Sequence, residues 1–157
     1  MTLTTRDATI DEAPAVIAVI LAAFAQYRGS LMPESSAFTE TADTVRARMT
    51  RGGGAVVVEC DGRMLAATLY EPLDDSLYIG RLAVLPEARR GGVAVLMVRA
   101  VEATARARGI PRLTLGVRLA LADNIRLFTR LGFRETGRTA HPGFTEPTSM
   151  DMEKRLD

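Results

Sequence analysis

SLYIGRLAVLPEARRGGVAVLMVRAVEATARARG, residues 76–109, joins an apolar run to a glycine turn and a long apolar series at helical spacing. Residues 77–85 are largely apolar with Arg81 as an interruption, which predicts a strand that Pro86 stops. Arg89, Arg90, Gly91 and Gly92 follow, and then Val93, Leu96, Met97, Ala100, Val101 and Thr104 recur on one helical face. A helix that opens at two glycines leaves its first N–H groups without intrahelical partners. Glycine lets an anion approach the backbone closely, and the helix dipole favours negative charge there. Two adjacent arginines add fixed charge and planar donors. The turn therefore reads as a cradle for a phosphate or pyrophosphate. Taken alone, the same residues also fit a plain strand–turn–helix with solvated arginines.

The flanking chain extends this unit in both directions. Upstream, residues 55–60 (AVVVEC) and 63–70 (RMLAATLY) read as strands joined by Asp61-Gly62, a strong two-residue hairpin signal. Pro72, Asp74 and Asp75 supply the next turn, so three antiparallel strands end in the strand at 77–85. Downstream, residues 112–117 (RLTLGV) form a strand after a crossover long enough to be parallel. A helix over 122–131 ends at Gly132, and strands at 133–139 and 148–153 enclose a Pro/Gly loop. Near the start, residues 3–8 read as a short strand and 11–27 as a helix apolar nearly all round. Such a helix is expected to be buried on two sides, or on one side and in a subunit contact. Residues 28–41 form a polar loop, the candidate wall for substrate selectivity, and 43–51 a second helix. The order is β-α-α-β-β-β-α-β-α-β-β: an α/β chain with a mixed sheet and helices on its faces, not doubly wound.

A chain of 157 residues can bury one substantial core, so residues 1–157 are read as a single domain. The net charge of +1 predicts neither nucleic-acid nor acidic-membrane binding. The apolar run at 14–25 is too short to cross a membrane, and the acidic residues before it argue against a signal peptide. Cys60 and His141 are each the only residue of their type, so neither a disulfide nor a multi-histidine or cysteine metal site can form within the chain. The cytoplasm is the expected compartment, and no metal is expected. No G-x-S-x-G turn accompanies His141, which sets aside a serine triad. No Gly-Lys-Ser/Thr follows the glycines, which sets aside a P-loop.

Two segments together resemble a known family. Arg89-Arg90-Gly91-Gly92-Val93-Ala94 matches Arg/Gln-x-x-Gly-x-Gly/Ala, with Arg89, Gly92 and Ala94 at the fixed positions. About 30 residues on, Asn124-Ile125-Arg126-Leu127-Phe128-Thr129-Arg130-Leu131-Gly132-Phe133 matches the second segment. The chain thus resembles the GNAT superfamily of N-acetyltransferases over nearly its whole length, including the order of elements. The resemblance implies an acyl-CoA N-acyltransferase fold and transfer of an acetyl group from acetyl-CoA, as co-substrate, to a primary amine of a small molecule or peptide. It implies a pyrophosphate on the N–H groups of Arg90, Gly91, Gly92, Val93 and Ala94, with Arg89 beside them. It implies a pantetheine arm lying along Leu82, Ala83 and Val84, in an opening between that strand and the one at 113–117, with Asn124 and Phe128 as further binding residues.

Many relatives carry a glutamate base where Tyr78 stands here, and a tyrosine acid where Phe128 stands. The remaining candidates for proton transfer are Tyr78, Tyr70, Glu71 and His141, of which Tyr78 and His141 are taken as catalytic. A tyrosine of ordinary pKa is a poor base at neutral pH, whereas a histidine suits the task. Cys60 reads as structural. Arg81, if buried, needs a partner such as Glu59 or Glu71. The alternative function is a CoA-binding sensor or interaction module with reduced catalysis. A homodimer, if one forms, is expected through the first helix or the final strands.

Overall fold

The computed structural model describes residues 2–157. Its strands are β1 (Thr4–Asp7), β2 (Gly54–Cys60), β3 (Arg63–Leu73), β4 (Ser76–Val84), β5 (Arg112–Arg118), β6 (Arg134–Thr139) and β7 (Ser149–Arg155). Its α-helices are α1 (Ala13–Phe24), α2 (Ala42–Thr50), α3 (Val93–Ala107) and α4 (Ala122–Arg130). One seven-stranded sheet, in the order β1-β2-β3-β4-β5-β7-β6, takes in every strand. Only β4 and β5 pair in parallel. The element order expected from sequence is the one observed, as is the mixed sheet.

The turns form where sequence places them. Asp61 and Gly62 both take positive φ, +52° and +78°, the pairing that a tight hairpin with matched twist requires. Gly132, at φ +98°, ends α4, and the Phe133 N–H reaches back to the Phe128 carbonyl at 3.0 Å. That turn sets the Phe133 ring edge-on against Phe128, with centroids 5.8 Å apart.

Strand alternation divides the apolar residues between two cores. Val56, Val58, Ala66, Leu77, Ile79, Leu113 and Leu115 face α3 and α4. Val57, Ala67, Leu69 and Ala83 face α1 and α2. Helix α1 buries Ala13, Val16, Val19, Ile20 and Ala23 against that second core. Full burial of Ile20 alone stabilises by about 2–3 kcal/mol relative to exposure. Of the two expectations for α1, burial on two sides within the chain is corrected, since Ala15, Ala18 and Ala22 stay exposed and no further layer among the described residues covers them; burial on one side is what the fold shows. With its flanking 3-10 turns the helical stretch Ile10–Tyr27 is, by length and composition, long and apolar enough to cross a membrane, longer than sequence suggested. In this fold it is a core helix packed on β3 and β4. Since α1 and α2 cover β2, β3 and β4, the same sheet face at β5 and β7 is left free of helices.

Candidate active site: two clefts meeting at a split strand

β4 and β5 pair only from Ser76 opposite Arg112 to Ile79 opposite Leu115. Beyond that point residues 80–84 have no strand beside them on the β5 side. The parting coincides with a bulge, where the β3–β4 register shifts between Ala67 and Leu69. Arg81 sits in the bulge with φ +55°, a conformation that costs a non-glycine residue about 1 kcal/mol. Two contacts hold it. Thr68, fully buried, donates its hydroxyl to the Gly80 carbonyl at 2.9 Å. Arg81 Nε donates to Glu40 Oε2 at 2.8 Å. Glu40, not Glu59 or Glu71, is therefore the partner of Arg81. Buried Glu40 also accepts from Arg48 and from Thr44. Burial pushes its carboxyl upward, but the hydrogen bonds from Arg48, Thr44 and Arg81 outweigh that and hold it at about 2.

A cleft of about 770 Å³ runs from this split to the start of α3. Arg90 and Gly92 both take positive φ, +68° and +74°, which turns successive N–H groups to one side. Gly92 caps α3 without any side-chain bond, so the N–H groups of Val93, Ala94 and Val95 stay open. The first helical bond runs from the Leu96 N–H to the Gly92 carbonyl. The wall includes Leu82, Ala83, Val84, Arg89, Arg90, Gly92, Val93, Ala94 and Asn124; Gly91 lies off it. Arg89 lines this cleft and is also tied to its neighbours. Its guanidinium donates to the Val84 carbonyl (3.1 Å), the Ala23 carbonyl (3.2 Å) and Gln26 Oε1 (3.3 Å). Arg89 thereby braces the end of α1 against the end of β4. Phe24 and Tyr27, packed edge-on at 5.6 Å, line the opposite wall.

A second cleft, about 420 Å³, opens on the helix-free face. Leu82, Asn124, Phe24 and Leu121 line both clefts, so the two meet at the split. Tyr78, Phe128 and His141 all reach this second cleft. The Tyr78 ring lies over Gly116, where an added Cβ would stand 3.2 Å from Tyr78 Oη and 3.9 Å from Asp151 Oδ1. Burial raises the Tyr78 pKa, Arg81 works against that shift, and Asp151 adds to it. Tyr78 is thus a protonated donor at neutral pH and not a base. His141 shifts the other way: burial, with a smaller effect of Arg118, lowers its pKa and keeps the imidazole neutral. Its Nδ1 is in close contact with Thr148 Oγ1. That hydroxyl donates to the Thr139 carbonyl at 3.3 Å and accepts the His141 backbone N–H at 3.1 Å. Thr148 thus orients the ring through Nδ1, and Nε2 has no protein partner among the described residues. Phe128, buried against Phe133, brings no hydroxyl.

The other sequence candidates lie outside this cleft. The Tyr70 hydroxyl donates to Asp7 Oδ2 at 3.0 Å, and burial followed by Asp7 pushes its pKa up to about 12. Glu71 pairs with Arg48 and Arg51 on the α2 side. Cys60 ends β2 and lines neither cleft, and burial, with Asp61, raises its thiol pKa. Residues 28–41 do form a wall, through Ser35 and Ser36. Sequence reasoning missed Asp151 and Arg118. Their signal was alternation: Asp151 stands between buried Met150 and Met152, and Arg118 follows buried Val117, so both project to the opposite face.

The fold is shared with solved structures across almost the whole chain. The PaiA N-acetyltransferase of Thermoplasma acidophilum, in complex with coenzyme A, is 16% identical with a TM-score of 0.84, covering 99% of this chain and all of that one. The ribosomal-protein-S18-alanine N-acetyltransferase of Escherichia coli is 20% identical with a TM-score of 0.79, covering 98% and 94%. A GNAT family acetyltransferase of Elizabethkingia anophelis with acetyl-CoA bound is 15% identical with a TM-score of 0.71, covering 98% of each chain. At such identities the likeness is one of fold. The sequence profile of the acetyltransferase (GNAT) family, however, matches residues 21–133, which hold both the split strand and the glycine turn, and the chain belongs to that family.

Proposed function

We propose that this protein transfers an acetyl group from acetyl-CoA to a primary amine, by direct attack with both substrates bound. The observation that carries this reading is the meeting of the two clefts at Leu82 and Asn124, where β4 has left β5. The larger cleft suits the donor. Its open N–H groups at Val93, Ala94 and Val95 match a pyrophosphate, and the unpaired edge at 82–84 can take an extended amide-bearing arm as an added strand. Acetyl-CoA supplies an acyl group activated as a thioester. Backbone N–H groups near Leu82 to Val84 are placed to polarise its carbonyl.

The smaller cleft receives the amine. An amine of pKa near 10 arrives protonated, so the site needs a base. His141 Nε2 accepts that proton, while the Tyr78 hydroxyl and the Asp151 carboxylate orient the nitrogen. Phe128 cannot act as acid, and a thiol of ordinary pKa leaves tolerably without one. Cys60 lines neither cleft and its thiol is pushed up, both of which speak for direct attack over an acyl-enzyme. We read residues 1–157 as one catalytic domain, and the lone Cys60 agrees with a reducing compartment such as the cytoplasm.

Phe128 favours a second reading, a CoA-binding module without catalysis. Calorimetry with CoA and a thiol-release assay over a panel of amines test both. Wild type is expected to bind CoA, and Gly92→Asp to weaken binding at least tenfold. A Cβ at Gly92 meets nothing within 4 Å, but φ +74° strains any side chain there, so Gly92→Asn, with the same shape and strain and no charge, is the control, and the difference between the two variants reports charge against the pyrophosphate. Equal binding by the variant refutes the cradle. CoA binding without thiol release for any amine supports the module.

A further inference from the structure

The smaller cleft holds two arginines whose N–H groups are only partly used. Arg118, half-buried at the end of β5, makes one hydrogen bond among the described residues, from Nη2 to the Glu34 carbonyl at 3.2 Å. No carboxylate lies within ion-pair distance of it among the described residues, Asp151 included. Arg81, also half-buried, commits Nε to Glu40, and Glu40 is shared with Arg48. Both arginines line the cleft with Tyr78 and Asp151. The strain at Arg81 and its tie to Glu40 fix the guanidinium on one side of the split, while Arg118 stands on the other. Burial and the like charge of Arg81 both lower the pKa of Arg118 and Glu34 works against them, so the repulsion within the pair is only partly offset. An anion between them relieves that repulsion, and a guanidinium fork matches a carboxylate in shape.

Resting on the acetyltransferase reading above, we infer that the acceptor is a small amine bearing a carboxylate, with Arg118 and Arg81 binding the carboxylate and Asp151 facing the ammonium. Two cationic side chains and one anionic one in a single cleft are the complement of a zwitterion. A phosphate ester, carrying a second negative charge, would meet Asp151. The volume of about 420 Å³ fits a small molecule.

The test uses the full chain loaded with CoA. Calorimetry compares the protein α-amino acids, β-alanine and γ-aminobutyrate with their carboxamides. At least one carboxylate is expected to bind ten times or more tighter than its amide. Arg118→Gln brings that ratio close to one, and Arg118→Lys restores part of it, since it keeps the charge and loses the fork. The heat of CoA binding and a thermal melt verify that each variant is folded. Amides binding as well as carboxylates, or no member of either series binding, overturns the inference, as does Arg118→Gln weakening both series equally. Failure of the parent reading looks different: carboxylates bind in an Arg118-dependent way but acetyl-CoA releases no thiol with them.

Discussion

Single atoms at His141 and Cys60 carry opposite expectations. The Thr148 hydroxyl contacts His141 Nδ1, which leaves Nε2 as the ring nitrogen without a protein partner among the described residues. Its pKa lies below the ordinary histidine value, so the imidazole we propose as base is neutral at pH 7 and is lost as a base only as pH falls through that lowered pKa. His141→Gln is expected to cut kcat/KM by roughly 10²–10⁴ and to remove the acidic limb of the pH–rate profile. A loss under tenfold with the limb intact places the base elsewhere. Cys60→Ala, by contrast, is expected to keep most activity. Its thiol is held protonated by burial and by Asp61, and only the protonation-free thiolate attacks a thioester. Loss of all turnover in a folded Cys60→Ala protein points to a covalent route.

At the scale of elements, the bulge in β4 makes the site. Without the extra residue, β4 continues beside β5 and no edge is left for a donor. Thr68 donates to the Gly80 carbonyl at the edge of the bulge. Thr68→Val keeps shape and removes the donor, leaving a carbonyl unpaired at a cost of about 1–3 kcal/mol. The denaturation midpoint is expected to fall accordingly, and KM for acetyl-CoA to rise because residues 82–84 lose their fixed edge. A stability loss with KM unchanged shows that the edge holds without Thr68. Helix α3 meets this edge at its open first turn, so one strand and one helix end supply both halves of the larger cleft.

Across the whole molecule, Glu40 ties together parts far apart in sequence: the loop at 28–41, α2 through Arg48, and the bulge through Arg81. Its pKa of about 2 in the folded protein lies below the ordinary value of 4.5. The stabilisation is therefore complete above pH 4.5 and is lost as pH falls through about 2, and amounts to on the order of 3 kcal/mol. Glu40→Gln leaves part-buried Arg81 without a carboxylate and Arg48 with Glu71 alone. It is expected to destabilise by roughly 2–3 kcal/mol at pH 7 and to flatten the decline of the melting temperature between pH 4.5 and about pH 2. Parallel melting curves for the two proteins against pH leave no such role for Glu40.

Local chemistry explains what was legible in the residues alone. The turns at Asp61-Gly62 and Gly132, the strand and helix periods, and the start of α3 at Gly92 depend on neighbours within a few positions, so they can be read along the chain. The open N–H groups at the start of α3 follow from them, because they belong to one helix end. Long-range pairing was not readable. Arg81 found Glu40 across 41 residues, Arg118 found the Glu34 carbonyl across 84, and Arg89 found the Ala23 carbonyl of α1 across 66. A guanidinium is long and has several donors, so its partner depends on which segments the fold brings near. The same holds for the acceptor side: Tyr78, His141, Asp151 and Arg118 come from three strands and a loop, and they share a cleft only because β4 leaves β5 and no helix covers the face beyond.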